Sequence, residues 1–169
     1  MAIFVDPCFD QGRADHPPPS GALAQSAQRR NVQVGAATLQ VWTGGVPGHV
    51  DWLQAILPPA ALRQGWPPNQ AIRDQLRPFG RPGDDAGHII AANLGGPGDQ
   101  LWNFFSQSPN INRGVWAQQE QICANELGAG RQVRLCFLFR YDGSSRPTSF
   151  DYCYKLASGA TLTNNLVNP

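Results

Sequence analysis

Between residues 88 and 120 the chain carries His88, Asn103, Asn112 and Glu120, four side chains whose types suit proton transfer and cation binding. A neutral imidazole can take a proton from water near pH 7. An amide oxygen can hold a hard divalent cation that keeps several of its waters. Such a cation stabilises the charge that builds on a phosphate under attack and on the departing oxygen. A histidine facing a helix-borne amide is therefore a frame for hydrolysing a phosphodiester bond. Asn112, Trp116 and Glu120 recur at i, i+4 and i+8. At about 100° per residue they drift by only about 80°, which predicts Asn112 and Glu120 on one side of a helix.

The elements that must position these groups are legible in outline. Residues 86–92 (AGHIIAA) read as a short strand, with His88, Ile90 and Ala92 on one face. Leu94-Gly95-Gly96-Pro97-Gly98-Asp99 is a turn signal. Residues 101–105 read as the returning strand, with Asn103 and Phe105 on one face. Asn112 to Leu127 reads as an amphipathic helix with Val115, Trp116, Ile122, Cys123 and Leu127 as its apolar stripe, stopped by Gly128. Elsewhere, residues 1–30 read as irregular, because His16-Pro17-Pro18-Pro19 cannot sit inside a helix or a central strand. Residues 32–42 predict one or two strands, 50–57 a short helix closed by Pro58-Pro59, and 69–76 a second helix ending before Pro78. Residues 132–140 and 148–156 predict an antiparallel pair around Asp142-Gly143-Ser144-Ser145.

Bulk properties narrow the class. The chain has 169 residues, 41% hydrophobic and 15% charged, which fits one folded domain and excludes a disordered chain. Net charge is +1, so there is no bulk basic field. Lys155 is the single lysine among thirteen cations; the rest are arginines, whose planar fork suits phosphate but also follows from codon bias. No span is long and apolar enough to cross a membrane. The start lacks the basic segment and apolar run of a signal peptide, and a module cut from a longer protein would look the same. Cys8, Cys123, Cys136 and Cys153 have no metal-ligand spacing, which speaks against a structural zinc module. Cys136 and Cys153 flank the predicted turn and would face each other across a hairpin, as a disulfide or as packed thiols; the reading leans towards the bridge.

Asp84-Asp85-Ala86-Gly87-His88-Ile89-Ile90-Ala91, Leu94-Gly95-Gly96, Asn103, Gln107, Asn112-Arg113-Gly114, Trp116 and Glu120 together resemble the DNA/RNA non-specific endonuclease family, with its D-D-G-G-H-L-I-A, N-x-x-x-Q and N-R-G-x-W/Y-x-x-x-E motifs. The resemblance is close over residues 77–127 and looser to Lys155. It implies an α+β fold, a mixed or antiparallel sheet around a ββα-metal (His-Me finger) core, in a single nuclease domain. It implies His88 as general base and Asn112 as the ligand of one Mg2+ or Mn2+ ion. Asn103 would position the histidine or the phosphate, and Glu120 would bond metal-bound water or assist at the leaving group. Asp85 would be structural. Many members carry arginine where this chain has Ala86; Arg81, ahead of Arg77 and Arg113, is the expected substitute. Implied partners are DNA, RNA or both, and an acidic immunity protein if the chain is a secreted or delivered toxin module. The alternative is a decayed nuclease fold that only binds nucleic acid or protein. His16 and His49 read as structural, and Trp102, Trp116, Phe104 and Phe105 as core rather than base platforms.

Overall fold

The computed structural model describes residues 28–46 and 49–169. His16, Cys8 and the irregular stretch expected over 1–30 lie outside the described residues, apart from Gln28–Arg30. The strands are β1 (Gln28–Val34), β2 (Ala37–Val46), β3 (His49–Leu57), β4 (Asp85–His88), β5 (Phe104–Gln107), β6 (Val133–Arg140), β7 (Ser149–Leu156) and β8 (Thr161–Val167). The helices are α1 (Gln70–Leu76), α2 (Pro109–Ile111) and α3 (Ala117–Gly128), the last two joined through Asn112–Trp116. Six strands pair in the order β1-β2-β3-β6-β7-β8, every neighbour antiparallel, and β4 and β5 form a separate two-stranded ribbon. This is the expected α+β, antiparallel ββα-metal architecture.

Residues 50–57 form a strand, not the expected helix. β3 lies between β2 and β6, so its backbone bonds are taken on both sides. Trp52, Leu53, Gln54 and Ala55 are all buried, because the strand is covered on both faces. Such a run lacks the period of two that marks a half-exposed strand.

The main core lies between the large sheet and the ribbon–helix unit. Val133, Leu135, Phe137 and Phe139 of β6 and Phe150, Tyr152 and Tyr154 of β7 meet Trp116, Cys123 and Leu127 from the helical side. Trp116 is fully buried, with edge-on contacts to Phe137 at 5.2 Å, Tyr152 at 5.3 Å and Phe150 at 5.4 Å. Truncating a core aromatic of this kind costs about 3–5 kcal/mol. The tryptophan thus clamps the helical unit onto the sheet. Ile122, expected in the apolar stripe, is exposed. Gly128 is the last residue of α3, and the chain leaves the helix through Ala129 and Gly130, where Gly130 adopts a φ of 77°. Cys136 and Cys153 do face each other in register, buried together, but both are thiols and no disulfide joins them.

Candidate active site

β4 is shorter than expected. It pairs with β5 from Asp85↔Gln107 to His88↔Phe104 and ends there. Beyond it the backbone is taken over by Asn103, which is fully buried and lies in a short helical turn, not on the returning strand. Its Oδ1 accepts from Ile90 N at 2.8 Å, and its Nδ2 donates to Ile90 O at 3.0 Å and Pro97 O at 3.1 Å. Asn103 O accepts from Ile89 N at 2.8 Å. Ile90 and Ala92 are therefore not strand partners of His88 on one face. The Asn103 amide is spent on the loop that follows β4, so it positions that loop rather than touching a ligand. Two glycines permit the close approach: a Cβ at Gly96 would fall 1.7 Å from Ile90 O, and one at Gly87 would fall 2.1 Å from Gln107 Oε1.

His88 packs its ring against Phe104, centroids 4.6 Å apart, and its Nε2 lies 3.4 Å from the carbonyl oxygen of Trp66. A carbonyl only accepts, so the neutral ring carries its hydrogen on Nε2 and leaves Nδ1 without a partner among the described residues. The imidazole is lowered to about 4, chiefly by burial and to a lesser degree by the Arg73 guanidinium, against the opposing pull of the Trp66 carbonyl. The ring is thus neutral, and able to accept a proton, throughout the physiological range.

Asn112 is anchored from below by β4. Its Nδ2 donates to Asp85 Oδ2 at 2.9 Å, and the same carboxylate takes Arg113 Nε at 3.0 Å and Nη2 at 2.7 Å. Bonds from Arg113 hold Asp85 below the usual carboxylate range against the opposing effect of burial, with help from Asn112 and the Arg73 charge. A carboxylate is acceptor-only, so this contact fixes which way the Asn112 amide points: nitrogen to Asp85, oxygen away. Asn112 has helical φ and ψ and makes no capping bond to backbone among the described residues. At Gly114 (φ −104°, ψ −113°) the helical path kinks through a wide turn. The uniform 100° step does not run through that kink, so the expected common side of Asn112 and Glu120 cannot be read from spacing. Glu120 sits farther along on α3, where burial raises its carboxyl to about 7.

Beside β4 opens a cleft of about 530 Å³ lined by Arg73, Arg77, Arg81, Asp84, Ala86 and Ser106, among others. Ala86 leaves room that a longer side chain would fill. Of its arginines, Arg77 pairs with Asp74 at 3.0 Å. Arg81 is exposed and its charge acts on Asp84 and Asp142. Arg73 makes no side-chain hydrogen bond or ion pair among the described residues, and its charge reaches both Asp85 and His88. Sequence reasoning named Arg77, Arg81 and Arg113 but missed Arg73; its place on the predicted helix 69–76, facing the strand, was the available signal.

A second group, for which the sequence suggested no role, fixes Asp84 at the edge of the cleft. Arg146 donates through Nε to Asp84 Oδ2 at 2.6 Å and through Nη2 to Asp84 Oδ1 at 3.0 Å, both side chains under one-tenth exposed. Burial pushes the Asp84 carboxyl up, but the Arg146 side-chain bonds and the Arg81 backbone N–H outweigh it and hold it low. Asn168 completes the knot, donating to Ser106 O at 3.0 Å and Pro147 O at 2.7 Å and accepting from Ser108 N at 2.7 Å. The paired acids at 84 and 85 therefore have separate duties. Asp84 fixes the ribbon to the β6–β7 connection, and Asp85 aims Asn112.

A family model for the DNA/RNA non-specific endonucleases matches residues 50–158, from β3 through β7. The chain belongs to this family. The match begins at residue 50, well before the motif-bearing stretch, and so takes in the central strand of the large sheet. The chain is 36% identical over 119 residues to a probable deoxyribonuclease, RhsA, of Dickeya dadantii (strain 3937). That alignment covers 70% of this chain and 8% of the relative, so the chain spans a small part of the relative's length. Among solved structures, NucA from Streptococcus agalactiae with magnesium ion bound superposes with a TM-score of 0.58 at 15% identity, covering 86% of this chain and 79% of NucA. An extracellular endonuclease superposes with a TM-score of 0.56 at 11% identity, covering 83% of each chain. These two likenesses establish the shared fold. Among the described residues no helix is long and apolar enough to cross a membrane.

Proposed function

We propose that this nuclease domain is a divalent-metal-dependent endonuclease that hydrolyses phosphodiester bonds of DNA, RNA or both, in a secreted or delivered antibacterial effector. One observation carries the reading: a neutral histidine on β4 whose Nδ1 has no partner among the described residues, and on the following helix an Asn112 whose amide nitrogen is committed to Asp85 of that same strand. The Asn112 oxygen has no partner among the described residues, which fits a hard-cation ligand. Among those residues no three His, Cys, Asp or Glu side chains gather as a metal cage. One protein ligand with waters in the other positions is the arrangement that Mg2+ accepts. When bound, Mg2+ or Mn2+ would supply charge stabilisation at the phosphate.

The chain's own residues do the rest. His88 Nδ1 takes the proton of the attacking water, and the Trp66 carbonyl holds the ring in the tautomer that allows it. Glu120, poised near neutrality, holds a proton within the site for the leaving side. Arg73 and Arg81 supply positive charge to the substrate phosphates, in the cleft that Ala86 leaves open. Asn103 and Gly96 keep the post-β4 loop in place. The RhsA relationship supports a toxin module, and an immunity protein would present acidic side chains to the arginine-lined cleft.

The test is cleavage of plasmid DNA and of RNA, with and without Mg2+ or Mn2+, comparing wild type with His88→Ala. Metal-dependent cutting that falls by at least about a hundredfold in the variant fits loss of the general base. Survival of cutting in His88→Ala would displace His88 from that role. Absence of cutting by wild type on either substrate would turn the reading to a binding-only nuclease fold.

A further inference from the structure

Trp66 is 37% exposed, whereas Trp52 and Trp116 are in the core. Among the described residues it is the aromatic ring that the fold leaves most open to solvent. Its main chain is not loose. Residues 63–69 are tied to the loop after β4 by Arg63 N to Asn93 O at 2.8 Å, Gly65 N to Ala92 O at 3.1 Å, Trp66 N to Gly96 O at 3.3 Å and Asn69 N to Gly98 O at 2.9 Å. None of these bonds uses the Trp66 side chain. One edge of the indole rests on Gly98, where a Cβ would come within 2.6 Å of its Cδ1. The carbonyl of the same residue meets His88 Nε2. The indole thus belongs to the residue whose carbonyl meets the imidazole, and Arg73, which lines the cleft beside β4, carries a charge that reaches that same imidazole.

We propose that the Trp66 indole stacks on one nucleobase next to the phosphate that His88 serves, so that the site favours single-stranded or locally opened nucleic acid. The inference rests on the reading of His88 given above. A sugar-phosphate backbone held by Arg73 at His88 carries its adjacent base towards the residue whose carbonyl meets that ring. Base–aromatic stacking is indifferent to base identity, which suits a site with no base-reading side chains. In an intact duplex the bases are already stacked and paired, so the indole gains a partner only where the helix opens.

The experiment measures binding without turnover. His88→Ala and His88→Ala/Trp66→Ala are titrated, without added metal, against a labelled 12-nucleotide single strand and a duplex of the same sequence, by fluorescence anisotropy. Trp66→Ala is expected to weaken single-strand binding about tenfold and duplex binding less than twofold, and Trp66→Phe to recover most of the loss. Single strands with one abasic position complete the test. At one position the lost base should weaken binding to the Trp66 protein and add nothing to the loss in Trp66→Ala. Equal weakening on strand and duplex would assign Trp66 a merely structural part and overturn the proposal, as would no weakening or an abasic effect independent of Trp66. Cleavage by the chain with His88 intact is scored separately. A strand-specific Trp66 effect in a chain that cuts nothing would leave this proposal standing and remove the enzymatic one.

Discussion

Replacing Asp85 with alanine tests whether the carboxylate aims the metal ligand. In the folded chain Asp85 accepts three bonds, one from Asn112 and two from Arg113. The Arg113 side chain is 72% exposed, so its ion pair contributes little to stability. The Asn112 bond ends on a charged acceptor in a half-buried setting, where such bonds are worth about 1.5–3 kcal/mol. Without it the amide can turn its nitrogen towards the cation, and that energy corresponds to roughly a 10–100-fold loss in metal affinity, the range known for groups that orient a ligand. The assay is cleavage rate against Mg2+ and Mn2+ concentration for wild type, Asp85→Ala, Asp85→Asn and Asn112→Ala, with thermal midpoints measured in parallel. Asp85→Ala should raise the half-saturating metal concentration by that factor while maximal rate at saturating metal recovers. Asp85→Asn, which keeps one acceptor oxygen, should fall between. An unchanged metal requirement in Asp85→Ala, alongside its loss in Asn112→Ala, would refute the orienting role.

The two perturbed groups, Glu120 and His88, give further measurable outcomes. Glu120 is raised from 4.5 to about 7, so the folded state binds the extra proton between those values and stability is lost as pH rises through 7. At about 1.4 kcal/mol per pH unit, Glu120→Gln should stabilise the metal-free protein by up to about 3 kcal/mol at pH 8 relative to pH 5. Denaturant midpoints at the two pH values check this, and an equal difference at both would refute it. His88, lowered to about 4, is a base at any pH above that, so the acid limb of kcat/KM should lie well below 6.5. Arg73→Gln removes a cation that disfavours the imidazolium and should move the His88 titration upward, read by NMR of the ring. Arg81→Gln, whose charge acts on Asp84 and Asp142, should leave that titration where it is.

The strand–turn–helix order around His88 and Asn112 was legible in the sequence because it is written in local signals: glycines at a tight turn, a run of motif residues, a helical repeat. The β6–β7 hairpin followed from the same kind of pattern, and the α+β class from the family resemblance that the motif carries. Other features depended on partners far along the chain. β3 became a strand because β2 and β6 both bond to it, while its continuous burial hides any period. β4 stops at His88 because Asn103, thirteen residues beyond Ile90, takes over the backbone at that point. The tautomer of His88 is set by a carbonyl 22 residues away, and Asp84 by an arginine 62 residues away. Residue types, their spacing and the motif resemblance identified the groups capable of the chemistry. Only the folded chain decided which oxygen of which amide is left unbonded, which arginine reaches the histidine, and which carboxylate is structural, because burial and hydrogen-bond geometry are properties of neighbours in space.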